Sequence, residues 1–164
     1  MGVSIRNMTS VYFQKDDQLL CLFRIGSRVA DKLYVGAAGG HFEENEMPSP
    51  EACVLREMNE ELGLTENDIE GLALRYITSR LKNGEIRMNY YFFADLKTDK
   101  PLKSSEGTLK WIPFSAFPAL PMPVSAKHMI LHYLKEGRHT SHLYAGITQE
   151  EGTSFTVMKE FQTK

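Results

Sequence analysis

The chain has 164 residues, of which 42% are hydrophobic and 24% charged, a composition typical of one soluble globular domain with one core. The formal net charge of −2 argues against a protein that coats a nucleic-acid polymer, because that function needs an excess of lysine and arginine. The longest apolar run, at residues 19–23, is too short to span a membrane and residues 1–7 lack a signal-peptide core, so we expect a cytoplasmic protein with no membrane partner.

The first part of the chain shows the alternation typical of β-structure. Strands are predicted at residues 9–13 and 19–24, which flank a polar turn and form an opening hairpin, and a short strand is predicted near residues 33–35. The small residues at 36–40 indicate a loop, and residues 43–49 continue as an acidic, proline-containing loop.

A helix is predicted over residues 50–62, where the hydrophobic period changes. Ser49 can cap its N-terminus, and Pro50 suits the first helical position because its missing N–H would have no partner there. Gly63 lies where the C-terminus favours a residue that can take a positive φ.

Further strands are predicted at residues 72–81 and 86–95, joined by the Asn83–Gly84 dipeptide that favours a type I′ hairpin turn. Another strand is predicted at residues 108–112. The prolines that follow exclude a regular helix until residues 125–134, which can form a second helix.

The end of the chain alternates weakly at residues 142–148 and 154–159, which predicts either a terminal hairpin or a poorly ordered tail. An exposed hairpin edge can pair with the same strand of a second subunit. A homodimer is therefore one candidate assembly.

Three carboxylates share one face of the first predicted helix. Glu57, Glu60 and Glu61 stand at i, i+3 and i+4, so their side chains lie within about 100° of one another around the helix axis. Because like charges at this spacing repel, the cluster favours a hard divalent cation such as Mg²⁺. The alternative is the solvated acidic face of a surface helix, which would bind no magnesium.

The residues around these carboxylates resemble a known motif. Residues 56–64, Arg-Glu-Met-Asn-Glu-Glu-Leu-Gly-Leu, match the second half of the Nudix box, REUxEExGU with U an aliphatic residue, and a glycine pair stands upstream at Gly39 and Gly40. The chain is similar to MutT-like Nudix hydrolases over roughly residues 8–134. This resemblance implies an α/β/α sandwich, in which helices flank a mixed central sheet and the box forms a loop, a helix and a loop.

On this resemblance we divide the chain into a Nudix hydrolase domain over residues 1–137 and a C-terminal extension over residues 138–164, which as a hairpin could belong to the same domain.

The resemblance also implies the residues of the site. Glu57, Glu60, Glu61 and the carbonyl of Gly39 would bind Mg²⁺, with Mn²⁺ as a substitute, and Arg56 would orient a glutamate by a charge-assisted hydrogen bond.

One spacing departs from the family pattern Gx5Ex7RE. The interval from Gly40 to Glu46 is kept, but nine residues instead of seven separate Glu46 from Arg56. The extra residues lie within 47–50, where they can bulge outward without moving the acidic face. Whether Glu46 still pairs with Arg56 is left open by the sequence.

Other candidate residues lie outside the box. Glu106 occupies the place where many family members have an additional metal-binding or basic glutamate, although a plain loop acid is an equal reading. Candidate contacts to phosphate or base are Arg24, Arg28, Tyr34, Phe42 and Trp111. Solvated arginines and core aromatics are the alternatives for these positions.

The implied reaction is hydrolysis of a phosphoanhydride bond in a small substrate that carries a nucleoside diphosphate group. Residues 69–95 contain no proline of the kind found after the box in ADP-ribose hydrolases, and the array typical of NADH hydrolases is missing, so nucleoside triphosphates lead by exclusion. An oxidised purine such as 8-oxo-dGTP is one candidate. The alternatives are hydrolysis of a nucleotide sugar or dinucleotide, and a non-catalytic nucleotide-binding module.

Overall fold

The alternating segments form one mixed β-sheet, seen in a computed structural model that describes residues 2–28 and 30–163. Nine strands are formed within these residues: β1 (Ser4–Lys15), β2 (Gln18–Arg24), β3 (Tyr34–Gly36), β4 (Ala38–His41), β5 (Ile69–Lys82), β6 (Glu85–Leu96), β7 (Gly107–Pro113), β8 (Tyr144–Gln149) and β9 (Gly152–Val157).

The strands follow the order β3-β2-β1-β6-β5-β8-β9, with β4 also paired to β1 and β7 to β2. Two of the pairings are parallel, β1 with β6 and β5 with β8. The long strands β1, β6 and β5 therefore lie side by side at the centre of the sheet. Their side chains alternate between its two faces.

Both predicted hairpins are confirmed. Strands β1 and β2 pair antiparallel with Phe13 opposite Leu20. Strands β5 and β6 turn through Asn83 and Gly84, whose φ angles of 51° and 71° are those of a type I′ turn.

The two helices are α1 (Pro50–Leu62) and α2 (Val124–Lys135). At the start of α1 the Ser49 hydroxyl accepts a hydrogen bond of 3.2 Å from the N–H of Ala52, and at its end Gly63 has a φ of 68°. The predicted limits of this helix are therefore confirmed. Neither helix is long and apolar enough to cross a membrane, and the same holds for every helix in the described part of the chain.

The helices cover opposite faces of the sheet. On one face, Val54 and Met58 of α1 are fully buried with side chains of β1, β2 and β6. On the other, Met129 and Ile130 of α2 are fully buried in a cluster rich in tyrosine and phenylalanine. The expected α/β/α sandwich with a mixed central sheet is confirmed.

The structure corrects one expectation and decides another. The small residues at 36–40 are not a loop, because the end of β3 and most of β4 fall there, with Gly39 and Gly40 opposite Ser10 and Thr9 of β1. The backbone pairs without help from side chains, so composition alone did not reveal the strand. At the end of the chain a hairpin forms, as one of the two alternatives predicted, and its strand β8 extends the central sheet beside β5.

Replacement of Gly63 by Ala should lower the free energy of unfolding by about 1 kcal/mol, because a Cβ atom disfavours the left-handed conformation that ends α1. The space around the added atom is open, so strain is the whole effect. Thermal unfolding measures it, with an expected fall in Tm of roughly 2–4 °C. Gly63→Asn is the control, since asparagine tolerates the left-handed conformation better than alanine does; equal melting temperatures for the two variants would contradict the proposed cause.

Candidate active site

A cavity of about 550 Å³ lies between the α2 face of the sheet and the N-terminus of α2. One of its walls is acidic and is formed by Glu57 and Glu61 of α1, by Glu106 just before β7, and by the glycine pair of β4. The structure thus brings together residues that are distant in the sequence. A cavity of this volume is of the size that takes one small ligand.

Arg56 organises the acidic wall. Its Nε and Nη2 atoms donate to the two carboxylate oxygens of Glu46 at 2.8 and 2.9 Å, which is a bidentate pair. Nη1 donates to Glu57 and Glu60, each at 3.0 Å, and Nη2 also donates to the carbonyl of His41 at 3.0 Å. The guanidinium therefore fixes the box helix to the segment that follows the glycine pair.

The pairing that the sequence left open is thus present. Glu46 ends a short 3₁₀ turn, Glu44–Glu46, and accepts the backbone N–H of Glu43 at 2.8 Å. The extra residues lie between this turn and α1, and they leave the side chain of Glu46 only 6% exposed against Arg56. The Arg56 guanidinium lowers the pKa of Glu46 below its ordinary value.

Two glycines are required beside the carboxylates. A Cβ atom on Gly40 would overlap the carboxylate of Glu57, and one on Gly39 would overlap the backbone carbonyl of Thr9. Gly39 also has a φ of 155° and donates its N–H to Glu61 at 3.2 Å. Close approach of α1 to β4 therefore accounts for Gly40, and close approach of the β1 backbone accounts for Gly39.

The carboxylates at the wall are crowded. Burial, followed by the negative charge of Glu106, raises the pKa of Glu61 to about 8. Burial also raises the pKa of Glu57, although Arg56 opposes the shift. Closely spaced oxygen donors that resist ionisation form a set that a hard cation would stabilise.

Glu60 differs from its two neighbours. Its side chain is 57% exposed, pairs with Arg56 and does not line the cavity. In this arrangement no three acidic, histidine or cysteine side chains of residues 2–28 and 30–163 lie close enough together to hold a metal ion. A metal site that uses Glu60 would therefore require its side chain to turn toward Glu57 and Glu61.

Of the candidate substrate contacts, Arg24 lines the cavity, and its Nη2 lies 3.5 Å from a carboxylate oxygen of Glu106. The other four lie outside the lining. Arg28 is exposed, Tyr34 packs on Phe23 with ring centroids 4.8 Å apart, Phe42 packs on Tyr90 at 5.0 Å, and Trp111 packs against the apolar cluster on the α1 side.

Sequence reasoning missed the side chains that the central strands contribute. The cavity face of the sheet carries Arg6, Met8, Ser10 and Tyr12 from β1, Arg87, Asn89 and Tyr91 from β6, and Arg80 from β5. Within each strand these residues are two apart, so alternation would have grouped them. Alternation does not say which of the two faces of the sheet lines a cavity. That depends on where α2 packs, and the local sequence of the strands does not determine it.

The sequence of the chain matches a known protein family. The family model described as NUDIX domain matches residues 5–133. None of the curated proteins matches the chain.

Solved structures of similar fold include a mutator MutT protein from Bacillus halodurans, which is 24% identical with a TM-score of 0.68, the match covering 93% of this chain and 97% of that one. A MutT protein from Methanosarcina mazei Go1 is 17% identical with a TM-score of 0.65, covering 83% and 97%. The NUDIX domain of Shewanella oneidensis NrtR, complexed with ADP ribose, is 14% identical with a TM-score of 0.61, covering 85% and 90%. At these sequence identities, the structural similarity shows that the chain has the same fold as these proteins.

Replacement of Glu46 by Gln should lower the free energy of unfolding by roughly 2 kcal/mol at neutral pH, because Arg56 loses a charged bidentate acceptor in a largely buried position. Since the pKa of Glu46 is lowered on folding, its ionised form stabilises the protein above the ordinary value of 4.5, and this stabilisation is lost as the pH falls through the lowered pKa.

Thermal unfolding between neutral pH and strong acid checks both statements. The wild type should lose stability more steeply with acidification than Glu46→Gln does. Glu44→Gln, an exposed position in the same turn, is the control and should follow the wild type. Superimposable curves for Glu46→Gln and the wild type would refute the structural role of the pair.

Proposed function

The chain belongs to the Nudix hydrolase family, and from this premise we propose that it hydrolyses a phosphoanhydride bond in a nucleoside diphosphate-linked substrate, with magnesium as cofactor and a nucleoside triphosphate as the leading substrate. The observation that supports this proposal is the acidic wall of Glu57, Glu61 and Glu106 on a cavity of ligand size. Arg56 donates to Glu57, the N–H of Gly39 donates to Glu61, and Arg24 pairs with Glu106.

The residues fit a magnesium site. Glu57, Glu60, Glu61 and the carbonyl of Gly39 would hold the ion, since carboxylate and carbonyl oxygens are ligands suited to Mg²⁺, and Mn²⁺ can take its place. Burial first, and then the negative charge of Glu106, raise the pKa of Glu61 to about 8, and a cation bound among these carboxylates would stabilise their ionised forms. When bound, the cation would neutralise charge on the phosphate oxygens.

The chain's own residues would position the reactants. Water must attack phosphorus in line with the leaving oxygen, and a carboxylate must accept its proton. Glu57, Glu61 and Glu106 all line the cavity and are the three candidates for this base. Arg56 would act as a positioning residue, because its hydrogen bonds hold Glu57 at the wall.

The interior of the cavity would receive the nucleoside. Asn89 offers an amide that can both donate and accept hydrogen bonds, and Met8 offers an apolar side chain against which a base can pack. These groups suit a purine or pyrimidine base, and 8-oxo-dGTP belongs among the substrates to test. Arg24, at the same cavity, is a candidate contact to phosphate.

A second candidate is hydrolysis of a nucleotide sugar or dinucleotide. The similar fold of the NrtR domain, solved in complex with ADP ribose, favours it as the alternative. A non-catalytic binding module is less consistent with the chain, because all three glutamates of the box are retained.

A homodimer is the proposed assembly. Strand β9 ends the order of the sheet, so its outer edge can pair with a second subunit. A solution-scattering mass of one chain would exclude this assembly.

Replacement of Glu61 by Gln should lower kcat/KM by roughly 100-fold or more, because the amide cannot supply the charge that a cation needs. Release of phosphate and pyrophosphate with Mg²⁺ is measured for nucleoside triphosphates, 8-oxo-dGTP, ADP-ribose, NADH and diadenosine polyphosphates. Chelation of the metal should abolish turnover by the wild type.

Glu51→Gln is the matched control, since Glu51 lies exposed in the first turn of the same helix, and it should stay within about twofold of the wild type. If no substrate is hydrolysed while nucleotides still bind, the hydrolase proposal fails and a nucleotide-binding module takes its place.

A further inference from the structure

Three arginines form one row across the centre of the sheet. Arg87 of β6 lies opposite Arg6 of β1 in the parallel pair and opposite Arg80 of β5 in the antiparallel pair. Adjacent strands are about 5 Å apart, so the row extends roughly 10 Å across the cavity face. All three side chains line the cavity that carries the acidic wall.

The positive charge of this row is only partly balanced. Glu85 lies 2.8 Å from Arg87 and 3.8 Å from Arg6, measured between nitrogen and carboxylate oxygen. No carboxylate of the described residues forms an ion pair with Arg80. Because like charges directly opposite each other destabilise a sheet, the row is an unfavourable arrangement unless an anion lies against it.

The N-terminus of α2 points to the same place. Its cap residue, Pro123, makes no side-chain hydrogen bond to the helix, so the first N–H groups have no partner within the helix. Ser125 and Ala126 of the first turn line the cavity. The positive end of the helix dipole therefore adds to the field of the arginines.

We propose that Arg80, Arg87 and the N-terminus of α2 bind a further phosphate group of the substrate, beyond the two phosphates that flank the bond cleaved at the acidic wall. The inference rests on the proposed hydrolase function and names its substrate class. Guanidinium groups pair with phosphate through two parallel hydrogen bonds, whereas an uncharged base would leave the positive charge of the arginine row without a counter-ion. One cavity holds both walls, so a single ligand can contact both.

Two kinds of substrate carry such a phosphate. It can be the terminal phosphate of a nucleoside 5′-triphosphate or of a longer 5′-polyphosphate, or it can be a phosphate on the ribose. Matched substrates separate the two sources: adenosine 5′-tri-, tetra- and pentaphosphate differ only in the length of the tail, and NADPH differs from NADH only by a ribose phosphate.

The first experiment measures binding without catalysis. Calorimetric titration with inorganic pyrophosphate, in excess EDTA and low salt, measures binding to the arginine row. Without a cation the acidic wall repels pyrophosphate, so it does not contribute to the binding. The double variant Arg80→Gln/Arg87→Gln should bind at least about tenfold more weakly than the wild type. Lys135→Gln removes the same type of charge at the other end of α2 and should bind as the wild type does.

The second experiment measures kcat/KM in Mg²⁺ for both matched sets. The wild type should favour the member with the additional phosphate by about tenfold or more in one set, and the double variant should bring that ratio close to one. The variant relieves repulsion within the row but loses the Arg87–Glu85 ion pair, so its Tm should stay within about 4 °C of that of the wild type.

Undiminished pyrophosphate binding in the double variant overturns the site. Unchanged substrate ratios, with weakened pyrophosphate binding, overturn the assignment of the phosphate to the substrate. Absence of all hydrolysis refutes the proposed function instead, and the EDTA titration still decides whether the anion site exists.

Discussion

The guanidinium of Arg56 fixes the position of the helix that carries Glu57 and Glu61, and the acidic wall depends on that position. Its five N–H donors are matched by five acceptors: two oxygens of Glu46, one each of Glu57 and Glu60, and the carbonyl of His41. A lysine could not satisfy this set, because its single ammonium lacks the planar fork. The network ties the turn before α1, the helix and the end of β4 into one unit, so the extra residues before α1 leave the wall intact.

The sheet supplies the second requirement, which is close approach. Burial of the apolar side of α1 brings Glu57 against β4, where Gly40 leaves room for its carboxylate, and Gly39 leaves room for the backbone of β1. On the opposite face, α2 leaves the outer part of β1, β5 and β6 uncovered, and the cavity forms there. One cavity thus has an acidic wall at its α1 side and a row of arginines along the sheet, a polarity suited to an extended phosphorylated ligand.

Local signals in the sequence predicted the elements that depend on local interactions. Ser49, Pro50 and Gly63 determine the limits of α1 through capping, and Asn83–Gly84 determines a turn through backbone preference. Strand β4 could not be predicted, because glycines carry no pattern and the strand exists through pairing with β1. The arginine row requires the register of three strands that are distant in sequence, and the faces of Tyr34, Phe42 and Trp111 depend on the layers that pack against them.

The most direct test of the proposed metal site is a crystal structure with Mn²⁺ and a non-hydrolysable nucleoside triphosphate, in which anomalous scattering locates the metal. The proposed site predicts a metal peak bounded by Glu57, Glu60 and Glu61, with phosphate oxygens of the nucleotide on its open side. A nucleotide bound in the cavity with the metal elsewhere, or with none at the acidic wall, would contradict it.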